Sequence, residues 1–260
     1  QAWKDYFTFG GLPQTLLLET VKDKKDYLLH LADTVYINDI AERHRIRNRL
    51  EIEELLRFLA SSIGSPCNPA KLSNTFKSLK KIVISNKTIT NYINYMRDAF
   101  MIEKAIRYNI KGKKYINTLA KYYFTDMGLR NALLDFRQIE LSHIMENIIF
   151  NELLYRGYSV DVGLVEVAGH DKEGKYIRKQ FEVDFVVNDA DKRYYIQSAL
   201  SIPNEAKMLQ ETASFRNIDD SFKKILVVKD DLTPYRNEEG FLIVGLFDFL
   251  INPDVIDKEL

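Results

Sequence analysis

The chain has 260 residues, enough for two domains of ordinary size, and its 46% hydrophobic content is enough to give each domain a core. Lysine and arginine balance aspartate and glutamate, so the formal net charge is zero, and no apolar run approaches the roughly 18 residues that a membrane span needs. These features exclude a hydrophobic membrane-spanning helix, and the start QAWKDYF lacks the pattern of a signal peptide. We therefore expect a globular, cytoplasmic protein with no membrane partner.

The single cysteine, Cys67, excludes an intramolecular disulfide and any cysteine-based zinc site, and the four histidines are scattered without ligand spacing. The chain opens on Gln1 rather than on an initiator methionine, and its first segment, WKDYFTFGGLP, is dense in aromatic residues. We expect the chain to be part of a longer protein that has a further segment upstream.

The helical patterns begin with DKKDYLLHLADTVYINDIAERHRI, whose apolar residues recur at helical spacing and predict one long helix or two short ones. RNRLEIEELLRFLASSIG predicts an amphipathic helix that stops at Gly64. In NPAKLSNTFKSL, Asn68 is a good N-cap and Pro69 takes the first helical position. SNKTITNYINYMRDAFMI predicts a further helix capped by Ser85 or Asn86, which completes a helix-turn-helix.

Two strands, MIEKAIRYN and KYYFTDMGL, are predicted around the basic loop IKGKKYINTLAK, which would be the wing of a winged helix-turn-helix. The second helix of that motif would present short polar groups suited to base edges and phosphates, and the loop would add three lysines. The candidate DNA contacts are Lys87, Thr88, Asn91, Lys111, Lys113 and Lys114. Because many winged helices are protein adaptors, the partner is either duplex DNA or another protein.

The charges are unevenly spread along the chain. Residues 41–131 contain 18 lysines and arginines against 7 aspartates and glutamates, and the remaining residues contain 19 against 30. The middle block therefore carries +11 and the rest −11. A basic block of this kind predicts an anionic partner such as nucleic acid, although it can also dock on acidic neighbours.

From Asp135 onward the pattern changes to a buried helix, IELSHIMENIIFNELLYRGY, that ends at Gly157, followed by strands and helices in alternation. The predicted strands are YSVDVGLVEV, QFEVDFVV, YYIQSAL, KKILVVK and GFLIVGLFDFL, with the helix EAKMLQETASFRN between the third and the fourth. The predicted fold class is α/β (α+β). We predict a helical segment over residues 1–50, a winged helix-turn-helix over 51–134 and an α/β domain over 135–260, packed together without a flexible linker.

The stretch QFEVDFVVNDADKRYYIQSAL predicts a hairpin with an acidic pair on its first strand. Alternation puts Glu182 and Asp184 on one face, and an even loop places Asp184 opposite Gln197 and Glu182 opposite Ala199. Directly opposed Cβ atoms lie roughly 5 Å apart. The oxygens of Asp184 and Gln197 could therefore reach one cation.

A helix bearing Glu146, followed by this hairpin, a helix and further strands, resembles the PD-(D/E)XK nuclease fold. In that family two acids bind magnesium, and a lysine two residues after the second acid assists the attack on phosphorus. Asp184 matches the first acid, whereas Gln197 falls where the second acid belongs and Ala199 where the lysine belongs. The resemblance therefore implies a degenerate site made of Asp184, Gln197 and Glu146, with at most weak magnesium or manganese binding at Asp184 and Gln197.

Nearly the whole chain resembles the C-terminal part of prokaryotic AAA+ family ATPases that carry a winged helix and a nuclease-like domain after the nucleotide-binding domain. The segments that carry the resemblance are FGGLP, YINDIAERHRIRN, RFLASSIG, TITNYINYMRDAFMI, YYFTDMGLRNALL, MENIIFNELLYRGY and EVDFVV with YIQ. The resemblance implies an upstream AAA+ domain as a partner in the same chain. No glycine-rich loop ending in Gly-Lys-Ser or Gly-Lys-Thr occurs here, so ATP is expected only in that upstream domain.

The sequence thus predicts a regulatory and recognition module that binds DNA or a protein through a winged helix and has an inactive nuclease-like domain. Two alternatives stay open. One is a magnesium-dependent DNA nuclease that uses Asp184, Glu146 and a displaced lysine such as Lys207, although residues 132–260 carry 24 acidic and 15 basic side chains, a sign that repels phosphate. The other is a protein adaptor without any nucleic-acid contact.

Overall fold

The computed structural model describes residues 1–137, 140–170 and 176–257. It confirms a mixed α/β protein and divides the chain into two compact units. Unit 1 is Gln1–Lys104 with Ala120–Asn147, and unit 2 is Ala105–Leu119 with Ile148–Leu260. The predicted boundaries at residues 50 and 134 do not coincide with this division, and the three-domain scheme stays a prediction. Among the described residues, no helix is both long enough and apolar enough to cross a membrane.

Unit 1 begins with a series of helices. They are α1 (Ala2–Phe9), α2 (Pro13–Leu17), α3 (Val21–His30), a π-helical segment (Leu31–Ile37), α4 (Asn38–Arg43) and α5 (Arg49–Ser61). The helix predicted from DKKDYLLHLADTVYINDIAERHRI is confirmed, because α3, the π-helical segment and α4 follow one another without a break. α5 ends just before Gly64, whose φ of 72° is the left-handed conformation that glycine adopts readily.

The predicted pair of helices with its caps is also confirmed. α6 (Pro69–Thr75) runs into a π-helical turn (Phe76–Lys80), and α7 (Asn86–Asp98) follows. The side chain of Asn68 accepts a hydrogen bond from the backbone N–H of Lys71 at 2.7 Å, and the hydroxyl of Ser85 accepts one from Thr88 at 3.0 Å. These bonds satisfy donors that the first turn of a helix leaves open, so both helices start where the sequence predicts.

The segment predicted as a wing differs from the expectation. β1 (Ile102–Asn109) is followed by a short turn and by β2 (Lys114–Phe124), so most of the predicted loop IKGKKYINTLAK belongs to a strand. β2 is hydrogen-bonded to β1 within the sheet, and this pairing gives its backbone N–H and C=O groups their partners. The residues TDMGL, predicted as strand, instead begin α8 (Met127–Leu133), because the Asp126 side chain caps that helix.

Asp126 also holds the FGGLP segment within unit 1. Its carboxylate accepts hydrogen bonds from the backbone N–H groups of Gly11 at 2.8 Å and Leu129 at 2.9 Å. A side chain at position 10 would begin 2.2 Å from this carboxylate, so only glycine fits there. Burial raises the pKa of Asp126 although backbone N–H groups oppose the shift. The turn in FGGLP that follows α1 is thus hydrogen-bonded to the residue that caps α8.

The remaining elements start with α9 (Leu141–Tyr155); the first predicted residue of that helix, Ile139, lies outside the described residues. The strands that follow are β3 (Ser159–His170), β4 (Tyr176–Asp189), β5 (Lys192–Ala199), β6 (Lys223–Val228), β7 (Tyr235–Arg236) and β8 (Leu242–Gly245). The helices are α10 (Glu205–Glu211) and α11 (Leu246–Ile251), with 3-10 turns at Phe215–Asn217 and Pro253–Ile256. The stretch GFLIVGLFDFL, predicted as one strand, divides into β8 and α11, since its continuous apolar character suits a buried strand and a buried helix equally.

The described strands form one mixed sheet in the order β2-β1-β3-β4-β5-β6-β8-β7. β3, β4 and β5 are antiparallel neighbours, whereas β5, β6 and β8 run parallel. An apolar cluster in unit 2 packs on this sheet; its buried members include Val165, Val183, Val186, Tyr195, Ala199, Phe215, Leu226 and Ile243. The cluster fixes the hairpin that carries the predicted nuclease-like residues.

Candidate functional site

The predicted register of the β4–β5 hairpin is confirmed. Asp189 pairs with Lys192 at the turn and Phe185 pairs with Ile196, which continues the predicted pairing toward Asp184 and Gln197. The other edge of β4 is irregular. Asp161 pairs with Val186, but the next pair is Gly163 with Val183, so two residues of β4 lie opposite one residue of β3. This bulge contains Asp184, and a bulge redirects the side chains that it contains.

The Asp184 carboxylate is buried, with 8% of the residue exposed. Its Oδ2 accepts hydrogen bonds from the backbone N–H of Ser198 at 2.9 Å and from the Ser198 hydroxyl at 2.8 Å. The amide oxygen of Gln197 accepts a bond from the backbone N–H of Asp184 at 3.1 Å. The structure therefore brings Asp184 and Gln197 together as predicted. However, the two oxygens that would share a cation each accept a hydrogen bond from the hairpin, and Ser198 was missed.

Ala199, which the resemblance places where the nuclease family has a lysine, lies in the apolar cluster of unit 2 and is 7% exposed. A lysine at this position would have to enter the cluster, and burying an ammonium group among apolar side chains is costly. Lys207, considered as a displaced lysine, forms an ion pair with Glu211 on its own helix at 2.5 Å. Its ammonium group is thus held by α10.

Glu146, the third predicted nuclease residue, lies in unit 1 and has a buried partner that the sequence did not suggest. Its Oε1 lies 2.8 Å from the ammonium of Lys121 and 2.6 Å from the hydroxyl of Tyr123. Lys121 is 2% exposed and Glu146 is 7% exposed. A Cβ at Gly64 would lie 2.9 Å from Glu146 Oε2, so glycine leaves room for the carboxylate. Lys121, predicted at the point where the basic loop meets the second strand, was missed because it lies 25 positions from Glu146 in sequence.

The predicted metal site has few donors in the described part of the chain. Throughout residues 1–137, 140–170 and 176–257, no three His, Cys, Asp or Glu side chains are grouped closely enough to hold a metal ion. Magnesium prefers carboxylate oxygens and gives up its water reluctantly. One carboxylate and one amide, each accepting a hydrogen bond within the hairpin, do not fit a tight magnesium site.

The predicted DNA contacts of unit 1 lie on α7. Lys87 is exposed and Asn91 is half-buried on the surface of the helix. The Thr88 hydroxyl lies 2.8 Å from that of Ser85, so this side chain takes part in the N-terminal cap. The opposite face of α7, which includes Ile89 and Met96, is buried. α7 thus presents a polar surface with one cationic group near its N-terminus.

The three predicted DNA-contacting lysines of the wing belong to unit 2. Lys111 and Lys113 lie in the turn between β1 and β2, and Lys114 is the first residue of β2. All three are exposed. Lys111 also forms an ion pair with Asp219 at 3.3 Å. An ion pair at an exposed position is weak, so it does not prevent Lys111 from contacting an anion.

Comparison with known proteins shows relatives of greater length. A Haemophilus influenzae protein described as uncharacterized is 35% identical over 225 residues, which are 86% of this chain and 52% of that protein. The uncharacterized protein MJ1544 of Methanocaldococcus jannaschii is 28% identical over 231 residues, which are 87% of this chain and 49% of that protein. The chain therefore spans about half the length of these curated relatives.

The crystal structure of protein VC1899 from Vibrio cholerae aligns with 92% of this chain and 56% of its own, at 13% identity and a TM-score of 0.28. A score this low does not equate the two folds. Residues 1–140, more than half of the chain, match the family described as Domain of unknown function (DUF8612). The chain therefore belongs to the DUF8612 family.

Proposed function

We propose that this chain is a recognition module that binds duplex DNA through a winged helix in which α7 is the recognition helix. The proposal includes a nuclease-like α/β domain that has lost catalysis and an upstream AAA+ ATPase domain in the same polypeptide. The relatives are about twice as long as the matched region, which leaves room for such a domain.

The observation that carries the proposal is the excess of cationic side chains along α6 and α7. Residues 55–97 contain seven lysines and arginines and neither aspartate nor glutamate, although Lys80 pairs with Glu54 at 2.9 Å. A cationic surface attracts the phosphate backbone and releases its counterions. The exposed lysines of this stretch are Lys71, Lys77, Lys80, Lys81 and Lys87.

The chemistry of the α7 surface suits a DNA groove. Its exposed side chains, such as Thr90 and Asn94, are short and polar, and the 13-residue helix is slim enough for the major groove. The first turn contains no acid, so its backbone N–H groups and Lys87 can both face phosphate. Asparagine reads adenine edges and lysine contacts phosphate or guanine.

A protein adaptor is the competing interpretation, and duplex binding separates the two. We expect the wild-type chain to bind a labelled DNA duplex at about 50 mM salt, where phosphate contacts are strongest. Lys87→Glu should weaken this binding, whereas Lys22→Glu, an equal change at an exposed position on α3, should not. Absence of duplex binding at this salt concentration would rule out the DNA proposal and leave the adaptor.

A second candidate is the magnesium-dependent nuclease, and one observation favours it. Glu146 has a buried lysine, Lys121, at 2.8 Å, and a lysine beside a carboxylate is the pair that the family uses. Three observations oppose it: Ala199 stands at the position of the family lysine, Gln197 replaces an acid, and Asp184 accepts hydrogen bonds from Ser198. Loss of one stabilising group typically costs about a hundredfold to a thousandfold in rate.

A plasmid-nicking assay with manganese decides between the inactive domain and the nuclease. We expect no cleavage at high protein concentration. Cleavage that disappears in Asp184→Ala but persists in Asp189→Ala, the exposed carboxylate at the far end of β4, would establish the nuclease instead. Cleavage that both variants retain would indicate a contaminating enzyme and leave the domain inactive.

A further inference from the structure

Unit 2 contains a row of aromatic rings and one guanidinium beside the turn between β1 and β2. The ring of Tyr115 meets that of Tyr108 edge to face, with centroids 5.3 Å apart. The Arg193 guanidinium lies 5.2 Å from the centroid of the Tyr108 ring and 5.5 Å from that of Phe222. We call Tyr108, Tyr115, Arg193 and Phe222 the aromatic ladder. The DNA contacts predicted from the sequence include none of these four residues.

The two ends of the ladder are open to solvent. Tyr115 is 56% exposed and Phe222 is 39% exposed. Both rings therefore have exposed surface on which a ligand can pack. The Tyr115 hydroxyl donates a hydrogen bond to Asp161 at 3.1 Å, which fixes the ring, and Arg193 donates one to Asn188 at 2.8 Å. The ladder is therefore held in place before any ligand arrives.

A cavity of about 410 Å³ opens along the ladder and is lined by Tyr108, Arg193 and Phe222 together with Lys113 and Asn188. Asp191, Asp220 and Lys192 also reach it. Two of these charges have partners nearby. Asp220 accepts a hydrogen bond from Tyr195 at 2.6 Å, and Lys192 pairs with Asp257 at 3.1 Å.

The chemistry of this surface matches an unpaired nucleic-acid strand. Bases stack on aromatic rings whatever their identity, while cations follow the phosphates, and this combination is typical of single-strand binding. A base in a duplex is already stacked on its neighbours and offers no free face to Tyr115 or Phe222. Lys113, which lines the cavity, and the Arg193 guanidinium supply the cations.

We propose that the aromatic ladder binds single-stranded nucleic acid, with bases against Tyr115 and Phe222 and phosphates beside Lys113 and Arg193. All residues of this site lie in unit 2. It does not require that α7 bind duplex DNA.

Fluorescence anisotropy with a labelled single-stranded DNA of about 12 nucleotides at about 50 mM salt tests the proposal. We expect wild type to bind, and Tyr115→Leu and Phe222→Leu each to weaken binding by roughly fivefold to a hundredfold, as for the loss of one stacked base. Tyr115→Phe, which keeps the ring and removes only the hydroxyl that fixes it, should bind more tightly than Tyr115→Leu. Tyr155→Leu, which removes another exposed ring of unit 2, is the matched control and should bind like wild type.

Two results would overturn the proposal: no single-strand binding by the wild-type chain, or binding that both leucine variants retain while their thermal unfolding is unchanged. The fate of the α7 proposal is read separately from duplex DNA. Lys87→Glu should weaken duplex binding and leave single-strand binding intact. If duplex binding is absent while ladder-dependent single-strand binding persists, only the α7 proposal fails.

Discussion

The buried ion pair of Lys121 and Glu146 offers a quantitative test, because unit 1 contains an exposed pair of nearly the same geometry. Lys121 lies 2.8 Å from Glu146, with side-chain exposures of 2% and 9%. Lys80 lies 2.9 Å from Glu54, with exposures of 54% and 22%. The two pairs share the atom types and the distance and differ in burial. Replacing each lysine by methionine therefore isolates the effect of burial.

Removing one partner of a buried pair leaves a charge in a poorly solvated place and costs about 3–5 kcal/mol, whereas an exposed pair contributes about 0–1 kcal/mol. We expect Lys121→Met to lower the free energy of unfolding by the larger amount and Lys80→Met by the smaller. Adding Glu146→Gln to Lys121→Met removes the remaining charge and keeps an acceptor for Tyr123. The double variant should therefore lose less than the sum of the single changes.

Urea unfolding followed by tryptophan fluorescence measures these differences in unfolding free energy, and its signal comes from unit 1. The chain has one tryptophan, Trp3, which lies on α1 in unit 1 and packs against Phe7 with ring centroids 5.7 Å apart. A cost below about 1 kcal/mol for Lys121→Met, equal to that of Lys80→Met, would show that the Glu146 site is well solvated and would refute the reasoning.

Two further predictions concern two glycines with positive φ and two buried tyrosines. Gly64→Ala and Gly157→Ala both place a side chain at positive φ, 72° and 85°, which costs roughly 1–2 kcal/mol. Only Gly64→Ala should cost more than that, because its Cβ would lie 2.9 Å from Glu146 Oε2 while the space at Gly157 is open. Equal losses of unfolding free energy for the two variants, measured with urea, would contradict this contact. Burial raises the pKa values of Tyr92 and Tyr122 to about 12, above the ordinary value of 10.0. The stability that these phenols contribute is present below about pH 10 and is lost as pH rises through about 12. Phenolate absorbance should show both groups ionising near pH 12 in the folded chain and near pH 10 in denaturant.

Local signals predicted the elements of the α6–α7 region well. A cap depends on one side chain and a backbone group three residues on, so Asn68 and Ser85 marked the helix starts without knowledge of the rest of the chain. The apolar positions of α7 followed the helical period, and the buried face contains the predicted residues. Such features need only sequence spacing.

Features that depend on distant contacts were not predictable in this way. The first part of β2 mixes lysines and polar residues with apolar ones, and its strand form depends on pairing with β1 within the sheet, so its sequence suggested a loop. Asp126 begins α8, but the strand pattern before it extended the strand prediction across that boundary. The end of β8 and the start of α11 form one apolar run, and periodicity does not separate a buried strand from a buried helix.

The nuclease-like residues show the same limit. The hairpin register followed from counting residues across the turn, and the pair Phe185 and Ile196 confirms it. The bulge at Asp184 depends on β3, and the bond to Ser198 follows from it. Lys121 reaches Glu146 from 25 positions away in sequence, so no local pattern connects the two.

The salt dependence of duplex DNA binding by wild type and Lys87→Glu tests the central claim most directly. If the Lys87 ammonium neutralises a phosphate, the slope of log affinity against log salt should become less steep by about 0.9 in Lys87→Glu, with weaker binding across sequences. Lys22→Glu should keep the wild-type slope. Identical slopes for wild type and both variants, or no duplex binding by the wild-type chain, would contradict the assignment of α7 as a DNA-recognition helix.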